Sequence, residues 1–455
     1  MGKKNNESTP NLQDFGYEQE LKRSLSLWDL IIYGLIFMVP IAPFGIYGFV
    51  AQVSKGMVAL AYAIGAAGMI FTALSYARMS EAFPIAGSVY SYASRGINDT
   101  VGFFAGWAIL LDYILVPSLL YVVSGAALSA FIPGVPIFVW AFLFIIINTV
   151  INIVGIEFTA KFNKIVLVFE LIVLGLFILF GIMVVATGKD GATLTFKPFF
   201  DPSKFSLSLV MGAVSIAVLS FLGFDGISTL SEETKGGIKS VGKATVISLL
   251  IVAALFMVQT WVAGMVVPDY TSLKNVNTAF YQVAQVAGGT WLMLLCSLAT
   301  AFSWGIADSL VAQTAISRIL YSMARDGNMP KPLAKVHQKF QTPYVATILV
   351  AVISIVISFA FSSKIDSLTS LVNFGALTSF LILHFSVIYY FTGKRKSKKI
   401  FSHLIFPLIG LFVIAYVWYS LDISAKILGF SWLGVGVVYF LILSFVLRKS
   451  SKLAV

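Results

Sequence analysis

The chain has 455 residues, of which 58% are apolar and only 11% are charged, and its formal net charge is +11. A soluble domain carries about 25% charged residues, so this composition excludes an ordinary soluble protein and predicts a helical integral membrane protein. The single cysteine, Cys296, excludes an internal disulfide framework and a thiolate metal cluster.

The predicted elements are membrane-spanning helices between two polar cytoplasmic tails, residues 1–26 and 448–455. Twelve apolar segments are long enough to cross a bilayer, which takes about 20 residues. Several of them are longer than a crossing requires, so they are expected to tilt, break or extend beyond the bilayer. The twelve predicted spans are 27–53, 57–79, 101–131, 137–154, 161–187, 206–232, 240–267, 290–321, 343–361, 367–391, 401–421 and 427–447.

The basic residues are distributed unevenly between the two ends of these spans. With the amino terminus inside, 24 of the 31 Lys and Arg residues fall in the inside segments. This asymmetry predicts that both termini are cytoplasmic and that the inside face contacts anionic lipid. The positive charge therefore gives no reason to expect a nucleic-acid partner.

Glycine and proline interrupt two of the spans in a similar way. Span 1 contains APFGIYG at 42–48 and span 6 contains SFLGFDG at 220–226, so both carry the pattern G-x-[YD]-G. Pro40 and Pro43 remove backbone donors from span 1. Unwinding of both spans is expected at the glycines of the two motifs. These glycines are Gly45, Gly48, Gly223 and Gly226.

The two interruptions open corresponding halves of the chain, spans 1–5 (27–187) and spans 6–10 (206–391). Five spans is an odd number, so the second half enters the membrane from the opposite side, which makes an inverted repeat. Paired, interrupted helices in such repeats point to the central site of a transporter. Ordinary helix kinks and small-residue packing are the alternative interpretation.

Four segments make the chain recognisable over about residues 20–445. They are FTALSYARMSEAFPIAGSVYSYASRGINDTVGFFAGW (71–107), SFLGFDGISTLSEETKGG (220–237), SRILYSMARDGNMPKPLAKVHQKFQTP (317–343) and LVNFGALTSFLILHFSVI (371–388). With these segments the chain resembles the amino acid–polyamine–organocation superfamily of secondary transporters, and within it the bacterial putrescine-importer-like branch.

The resemblance implies the leucine-transporter fold, with ten core helices (27–391) in an inverted repeat and two peripheral helices (392–447). It also implies uptake by alternating access, driven by protons or sodium, with substrate at the breaks of spans 1 and 6. Span 1 departs from the family pattern, because VPIAPFGIYG lacks the tight glycine cluster that receives an amino acid carboxylate. It also lacks the acid that a diamine importer can carry near this break.

Acidic residues inside spans are costly and are functional candidates. Asp225 in the span 6 break would accept an ammonium group or carry a proton, or it would cap the second half-helix. Glu170 in span 5 stands where the resemblance places a lysine in some proton-coupled members, so it is a candidate proton carrier or ion-pair partner. Asp308 and Asp112 are further candidates. Tyr113 is expected to reach the substrate, whereas Asp112 is expected to face a helix.

Aromatic side chains near the breaks are candidates to hold an ammonium group by cation–π contact, although packing explains them equally well. The predicted substrate-binding residues are Pro43, Phe44, Gly45, Tyr47, Gly48, Tyr113, Phe221, Phe224, Asp225, Gly226 and Trp304, with Glu170 and Asp225 as coupling residues. Hydroxyls recur every three residues in span 8, where they would ligate sodium or bond to a neighbouring helix. They belong to Ser297, Thr300 and Ser303.

Charged residues at the inside ends of spans 6 and 8 are candidates for a gate of ion pairs, with a solvated charged face as the alternative. They are Glu232, Glu233, Arg325 and Asp326. The three histidines show no metal-ligand spacing, and the chain has no phosphate-binding loop, so neither a metal site nor ATP as the energy source is expected.

The sequence therefore predicts a proton-coupled importer, in a bacterial plasma membrane, of a small amine-bearing solute such as an amino acid or putrescine. A sodium-coupled amino acid transporter or exchanger is the alternative within this class. A channel is the alternative from another class, and it would need rings of charge or carbonyls along a pore. An enzyme is not expected, because no nucleophile–base set is visible.

Overall fold

The structure, a computed structural model, describes residues 13, 23–131, 134–154, 156–235, 239–276, 278–362 and 365–453. The predicted amino-terminal tail lies almost wholly outside these residues. Within them the chain is helical, and the only β-pairing is an isolated parallel bridge between Leu25 and Thr234.

Sixteen α-helices form in the described ranges. They are α1 Leu27–Met38, α2 Pro43–Val53, α3 Val58–Ala82, α4 Ser88–Gly96, α5 Asp99–Phe131, α6 Ile137–Val154, α7 Ile156–Thr187, α8 Leu207–Ala217, α9 Lys239–Val266, α10 Ala279–Gly288, α11 Thr290–Phe302, α12 Ser309–Arg325, α13 Tyr344–Phe361, α14 Ile365–Val387, α15 Phe406–Tyr419 and α16 Ile423–Leu453. The last helix continues beyond residue 447, where the sequence predicted a tail.

Eleven helical stretches of the described chain are long and apolar enough to cross a membrane, and the bent pair α1–α2 makes a twelfth. The all-helical class and the predicted number of spans are therefore confirmed. Two short helices were not predicted: α4 follows the second span, and α10 follows the seventh.

The first helix begins where local hydrogen bonding dictates. Ser26 and Asp29 form a capping box, in which the Asp29 amide donates to Ser26 Oγ and the Ser26 amide donates to Asp29 Oδ2. These bonds satisfy amides that a helix start leaves free. Lys164 Nζ reaches Asp29 Oδ1 at 3.0 Å and ties this start to α7.

Burial separates central from lipid-facing helices. The membrane window in α5 is 83% buried and that in α14 is 72% buried, whereas the window in α16 is only 11% buried. The exposed face of α16 is apolar, with Val435, Leu441 and Phe445 at its surface. Apolar side chains on an outer face suit hydrocarbon, because lipid leaves backbone and side-chain polar groups without partners.

Candidate functional site

The first span is broken between α1 and α2, which meet at a bend of 51°. The intervening residues, 39–42, include Pro40, and Val39 has a φ of 45°. Proline supplies no N–H and disrupts a helix on its amino-terminal side, which explains a break at this place. Gln259 Nε2 donates to the Pro40 carbonyl at 2.9 Å, so part of the freed backbone is satisfied from α9.

Gly45 and Gly48 do not form this break, which corrects the sequence interpretation. Both lie inside α2, because the chain unwinds before Pro43, which starts that helix. A Cβ at Gly45 would lie 2.9 Å from the Trp304 ring, and one at Gly48 would collide with the Val276 backbone. These two glycines therefore allow close packing rather than unwinding.

The second span is broken within SFLGFDG. After α8, a short 3₁₀ turn (Val218–Phe221) leads to extended Leu222, and Gly223 has a φ of +114°. A longer 3₁₀ helix, Phe224–Glu233, follows. The positive φ at Gly223 is one that residues with a side chain rarely adopt. This glycine, unlike Gly45, is part of the unwound backbone.

Asp225 holds the second break together. Its Oδ1 accepts the Gly223 amide at 3.3 Å, and its Oδ2 accepts the Tyr113 hydroxyl at 2.5 Å. The side chain is only 1% exposed. The carboxyl group thus bonds to the backbone of the break and also links it to α5.

The two breaks contact each other. A Cβ at Gly223 would lie 2.7 Å from the Phe37 carbonyl oxygen, and one at Gly226 would collide with the Phe37 ring. The same ring meets Tyr113 edge to face, with centroids 6.1 Å apart. The last turn of α1 therefore sits directly on the glycines of the second break.

A partly open cavity of about 40 Å³ lies at this junction. Tyr113, Gly223 and Trp304 line it, together with Asp112 and Asp308. Much of its wall is apolar, including Met38, Val116, Leu119, Leu120, Leu219 and Leu222. An apolar cavity with a few convergent polar groups is the usual form of a small-molecule site.

The structure brings only some of the predicted binding residues to this cavity. Tyr113 and Trp304 are in its wall, and Asp225 and Gly226 adjoin it through Tyr113 and Phe37. Pro43 and Gly45 lie just beyond, in the first turn of α2.

The other predicted aromatic residues pack elsewhere. Phe44 stacks on Phe280 with centroids 3.8 Å apart, and Tyr47 meets the same ring edge to face. Phe221 packs with Tyr62 and Phe256, and Phe224 packs with Tyr76 and Phe380. All four side chains are buried, and their contacts with other aromatic rings fit a packing role.

Two carboxyl groups in the cavity wall are incompletely paired. Asp112 Oδ1 and Asp308 Oδ1 are buried, and neither has a hydrogen-bond partner within the described chain. Trp304 Nε1 is also buried and has no hydrogen-bond partner in the described chain. Asp112 was expected to face a helix, and the structure instead places it in the cavity wall. A buried polar group without a partner is costly, so these atoms indicate a missing ligand or proton.

Glu170 lies near the π-helical turn formed by Ser303–Asp308. It is fully buried, and neither carboxyl oxygen has a hydrogen-bond partner in the described residues. Ser303 Oγ lies close to it, outside hydrogen-bond geometry. Its carboxyl group also interacts electrostatically with that of Asp308. π-Helical turns occur often at functional sites, and this one presents Asp308 to the cavity.

The predicted hydroxyl groups of span 8 do not form an evident cation site. Thr300 Oγ1 donates to the Cys296 carbonyl within its own helix at 2.9 Å. Ser303 lies in the π-helical turn, which alters the every-third-residue register that placed it with Ser297. The geometry of Thr300 fits intrahelical bonding rather than a cation ligand.

The predicted gate residues converge at one end of the molecule. Arg325 Nη2 lies 3.2 Å from Glu232 Oε1, which also accepts the Ala86 amide at 3.0 Å. Asp326 Oδ2 accepts the Tyr90 hydroxyl at 2.7 Å.

Glu233 pairs with Arg318, a residue the sequence analysis did not select. Arg318 Nε lies 2.7 Å from Glu233 Oε1, and both side chains are nearly buried. The available signal was spacing, since residues 318 and 325 lie seven apart on one helix, opposite two adjacent acids. At the same end, the amides of Ser24 and Leu25 donate to the Glu233 carbonyl, and the Lys235 amide donates to that of Leu25.

We expect Arg318→Gln to destabilise the protein, by about 3–5 kcal/mol if the cost is that of leaving one partner of a buried pair uncompensated. The double variant Arg318→Gln/Glu233→Gln should recover much of that loss, because the unpaired carboxylate is then removed. The measurement is the unfolding temperature in detergent.

Arg78→Gln is the matched control, because Arg78 and Glu81 also form an ion pair, at 3.2 Å, but their side chains are 36% and 30% exposed. It should change stability little. Equal losses in the Arg318 single and double variants would show that the buried pair does not stabilise this end.

Comparison with known proteins gives the chain a family. A family model described as amino acid permease matches residues 25–447. The low-affinity putrescine importer PlaP of Escherichia coli (strain K12) is 31% identical over 429 residues, which cover 92% of this chain and 93% of that protein.

Other relatives are named for different solutes. The branched-chain amino acid permease BcaP of Bacillus subtilis (strain 168) is 27% identical, over 96% of this chain and 95% of its own. A methylthioribose transporter of the same organism is 25% identical, over 93% and 94% of the two chains. These names describe transport and not catalysis. The protein is thus a multi-pass membrane permease rather than an enzyme, and it belongs to the amino acid permease family.

Proposed function

We propose that the protein is a proton-coupled secondary transporter that imports a small amine-bearing solute by alternating access. The observation that carries this proposal is the cavity at the two broken spans, with buried and incompletely paired carboxyl groups in its wall. An ammonium group would supply the counter-charge that these groups lack. The name of the PlaP relative, a putrescine importer, agrees with such a solute.

The proposed architecture is an inverted repeat of spans 1–5 and 6–10, with spans 1 and 6 discontinuous and spans 11 and 12 peripheral. Several contacts support it. The α1 helix of span 1 packs on α9 of span 7, and α8 of span 6 packs on α3 of span 2. The unpredicted helices α4 and α10 occupy equivalent places, after the second span of each half. Breaks in the first helix of each half follow the same scheme.

In this proposal the end with Glu232, Glu233 and Arg318 is cytoplasmic, in a bacterial plasma membrane, as the basic residues predict. The ion pairs there and the main-chain bonds to Leu25 would close the cavity toward the cytoplasm. Substrate would enter from outside, and these contacts would break when the site opens inward.

We assign the coupling proton to Glu170. A fully buried carboxyl group without a partner is far more stable neutral than charged, so it would pick up a proton before it is buried. Its electrostatic interaction with Asp308 connects the proton to the cavity wall. Sodium coupling remains the competing proposal, and the intrahelical bond of Thr300 does not favour it.

We expect Glu170→Gln to flatten the pH dependence of uptake. In the unaltered protein, uptake should rise as the outside pH falls, because the proton enters with the solute. Glutamine mimics the protonated side chain and cannot titrate. Initial uptake rates in proteoliposomes between pH 5.5 and 8 would measure this, with partly exposed Glu81→Gln as the control. A steep pH profile retained by Glu170→Gln would remove the residue from coupling.

The function itself is tested by uptake into proteoliposomes of a panel of amines and amino acids, with and without sodium, at two pH values. Saturable, proton-driven, sodium-independent uptake of an amine is expected. Single-channel currents without saturable uptake would instead identify a channel. Uptake that needs sodium and ignores the proton gradient would identify the sodium-coupled alternative.

A further inference from the structure

The carboxyl groups around the cavity form two separate pairs. Asp112 interacts electrostatically with Asp225, which bonds to Tyr113, whereas Asp308 interacts with Glu170. The pairs come from different parts of the fold: the first from α5 and the second break, the second from α7 and the π-helical turn. Asp112 and Asp308 both line the cavity, one from each pair.

Neither cavity carboxyl group is neutralised by the protein. Asp112 is 3% exposed and Asp308 is 5% exposed, and the Oδ1 atom of each has no hydrogen-bond partner among the residues that the structure describes. The described wall contains no Lys or Arg side chain. Buried carboxylates are normally paired with a cation, so a ligand that brings a positive charge to each of these two groups would stabilise both.

Most of the remaining wall is apolar. Val116, Leu119 and Leu120 from α5 and Leu219 and Leu222 from the second break supply aliphatic surface, and Trp304 adds an aromatic ring. Such a wall suits a short methylene chain, because binding removes the apolar surfaces of both the chain and the wall from water.

The backbone offers little to a substrate carboxylate. At the first break, the amides of Ala42, Phe44 and Gly45 donate to carbonyls three residues earlier, and Pro40 and Pro43 have no N–H. At the second break, Asp225 itself accepts the Gly223 amide. These four amides are therefore already bonded within the protein and are not free to bind an anion.

We propose, on the basis of the transport function above, that the site is built for an aliphatic diamine without a carboxylate group. Asp112, together with Asp225, binds one ammonium group, and Asp308 binds the other. Asp308 is then the residue that distinguishes a diamine from a monoamine. The π-helical turn at Ser303–Asp308 gives it that position, and Ser309 Oγ closes the turn by donating to the Trp304 carbonyl.

Three probes of similar length separate the features of this site. The compound 1,4-diaminobutane has both ammonium groups, 1-aminobutane has one, and ornithine has both plus a carboxylate. In competition for uptake of radiolabelled 1,4-diaminobutane by the full-length protein in proteoliposomes, the diamine should compete at least about tenfold better than either other probe. The reason is that 1-aminobutane lacks one charged contact and ornithine carries a carboxylate without a partner in the site.

Asp308→Asn should reduce the advantage of the diamine over 1-aminobutane to less than about threefold. It should leave competition by 1-aminobutane itself nearly unchanged. Asp112→Asn should weaken competition by both amines, because it removes the carboxylate that binds the ammonium group of a monoamine as well as that of a diamine. The probe ranking in the unaltered protein tests the proposal even where a variant does not fold.

Ornithine competing as well as the diamine would overturn the proposal, because it would reveal a carboxylate subsite. Equal effects of Asp308→Asn on both amines would also overturn it. In either case, saturable amine uptake would leave the transport function standing. Absence of uptake and of thermal stabilisation with all three probes would also overturn the diamine proposal, and uptake of the wider panel of amines and amino acids would then decide whether the transport function stands.

Discussion

Asp225→Asn should lower uptake by roughly 30-fold or more, the effect expected when one partner of a buried charge pair is removed. The protein should still fold, because asparagine retains an oxygen that can accept the Gly223 amide, now 3.3 Å from Oδ1. The substitution thus removes the charge and preserves the break. The measurements are initial uptake rate and the amount of monodisperse protein in detergent.

Asp201→Asn is the matched control, in a loop outside the spans. Its carboxylate accepts the Ser203 hydroxyl at 2.6 Å and the Ser203 amide at 3.1 Å. These bonds hold the pKa of Asp201 below its usual range, so it is charged at neutral pH, and the control also removes one negative charge. Normal uptake by Asp225→Asn would exclude this residue from binding and coupling alike.

Gly223→Ala should impair both folding and transport, and this is the second large effect. Its φ of +114° disfavours any side chain, at a cost of about 1–3 kcal/mol. The new Cβ would also lie 2.7 Å from the Phe37 carbonyl oxygen, so the two breaks would have to separate. Unfolding temperature and uptake should fall together, because the same contact shapes the cavity.

Gly212→Ala in the same span provides the comparison. A Cβ there would meet Val53 at 3.5 Å, which is ordinary contact, and the residue is helical. Alanine is the better helix former, so stability should stay the same or rise slightly. If Gly223→Ala matched Gly212→Ala in stability and uptake, the close approach of the two breaks would have no functional role.

The spans were predictable because hydropathy over about 20 residues depends little on tertiary contacts. The position of the first break was not. The sequence offered two prolines and two glycines within nine residues, 40–48, and local pattern cannot tell which unwinds the helix. The outcome depended on Trp304 and Val276, which approach Gly45 and Gly48 from distant parts of the chain.

The candidate site was predictable in part for the same reason. An acidic residue inside a membrane span is energetically unfavourable, so its presence there indicates a function. On this ground the sequence selects four acids: Asp225, Glu170, Asp308 and Asp112. Which of them face one cavity depends on helix rotation, and for Asp308 on a π-helical turn that shifts the register. The aromatic residues could not be sorted, because 39 Phe residues in a membrane protein are mostly packing residues.

The parallel bridge between Leu25 and Thr234 has a consequence for how variants at the charged end should behave. Its three hydrogen bonds join main-chain atoms of residues 24, 25, 233 and 235. Most side-chain substitutions leave main-chain hydrogen bonds in place. This contact is therefore expected to tolerate substitutions that would abolish an ion pair. Substitutions at Glu232 or Arg325 would then weaken the closure at this end of the protein, while the main-chain bonds keep it closed. Full release requires the start of the first span and the end of the sixth to part as backbone segments.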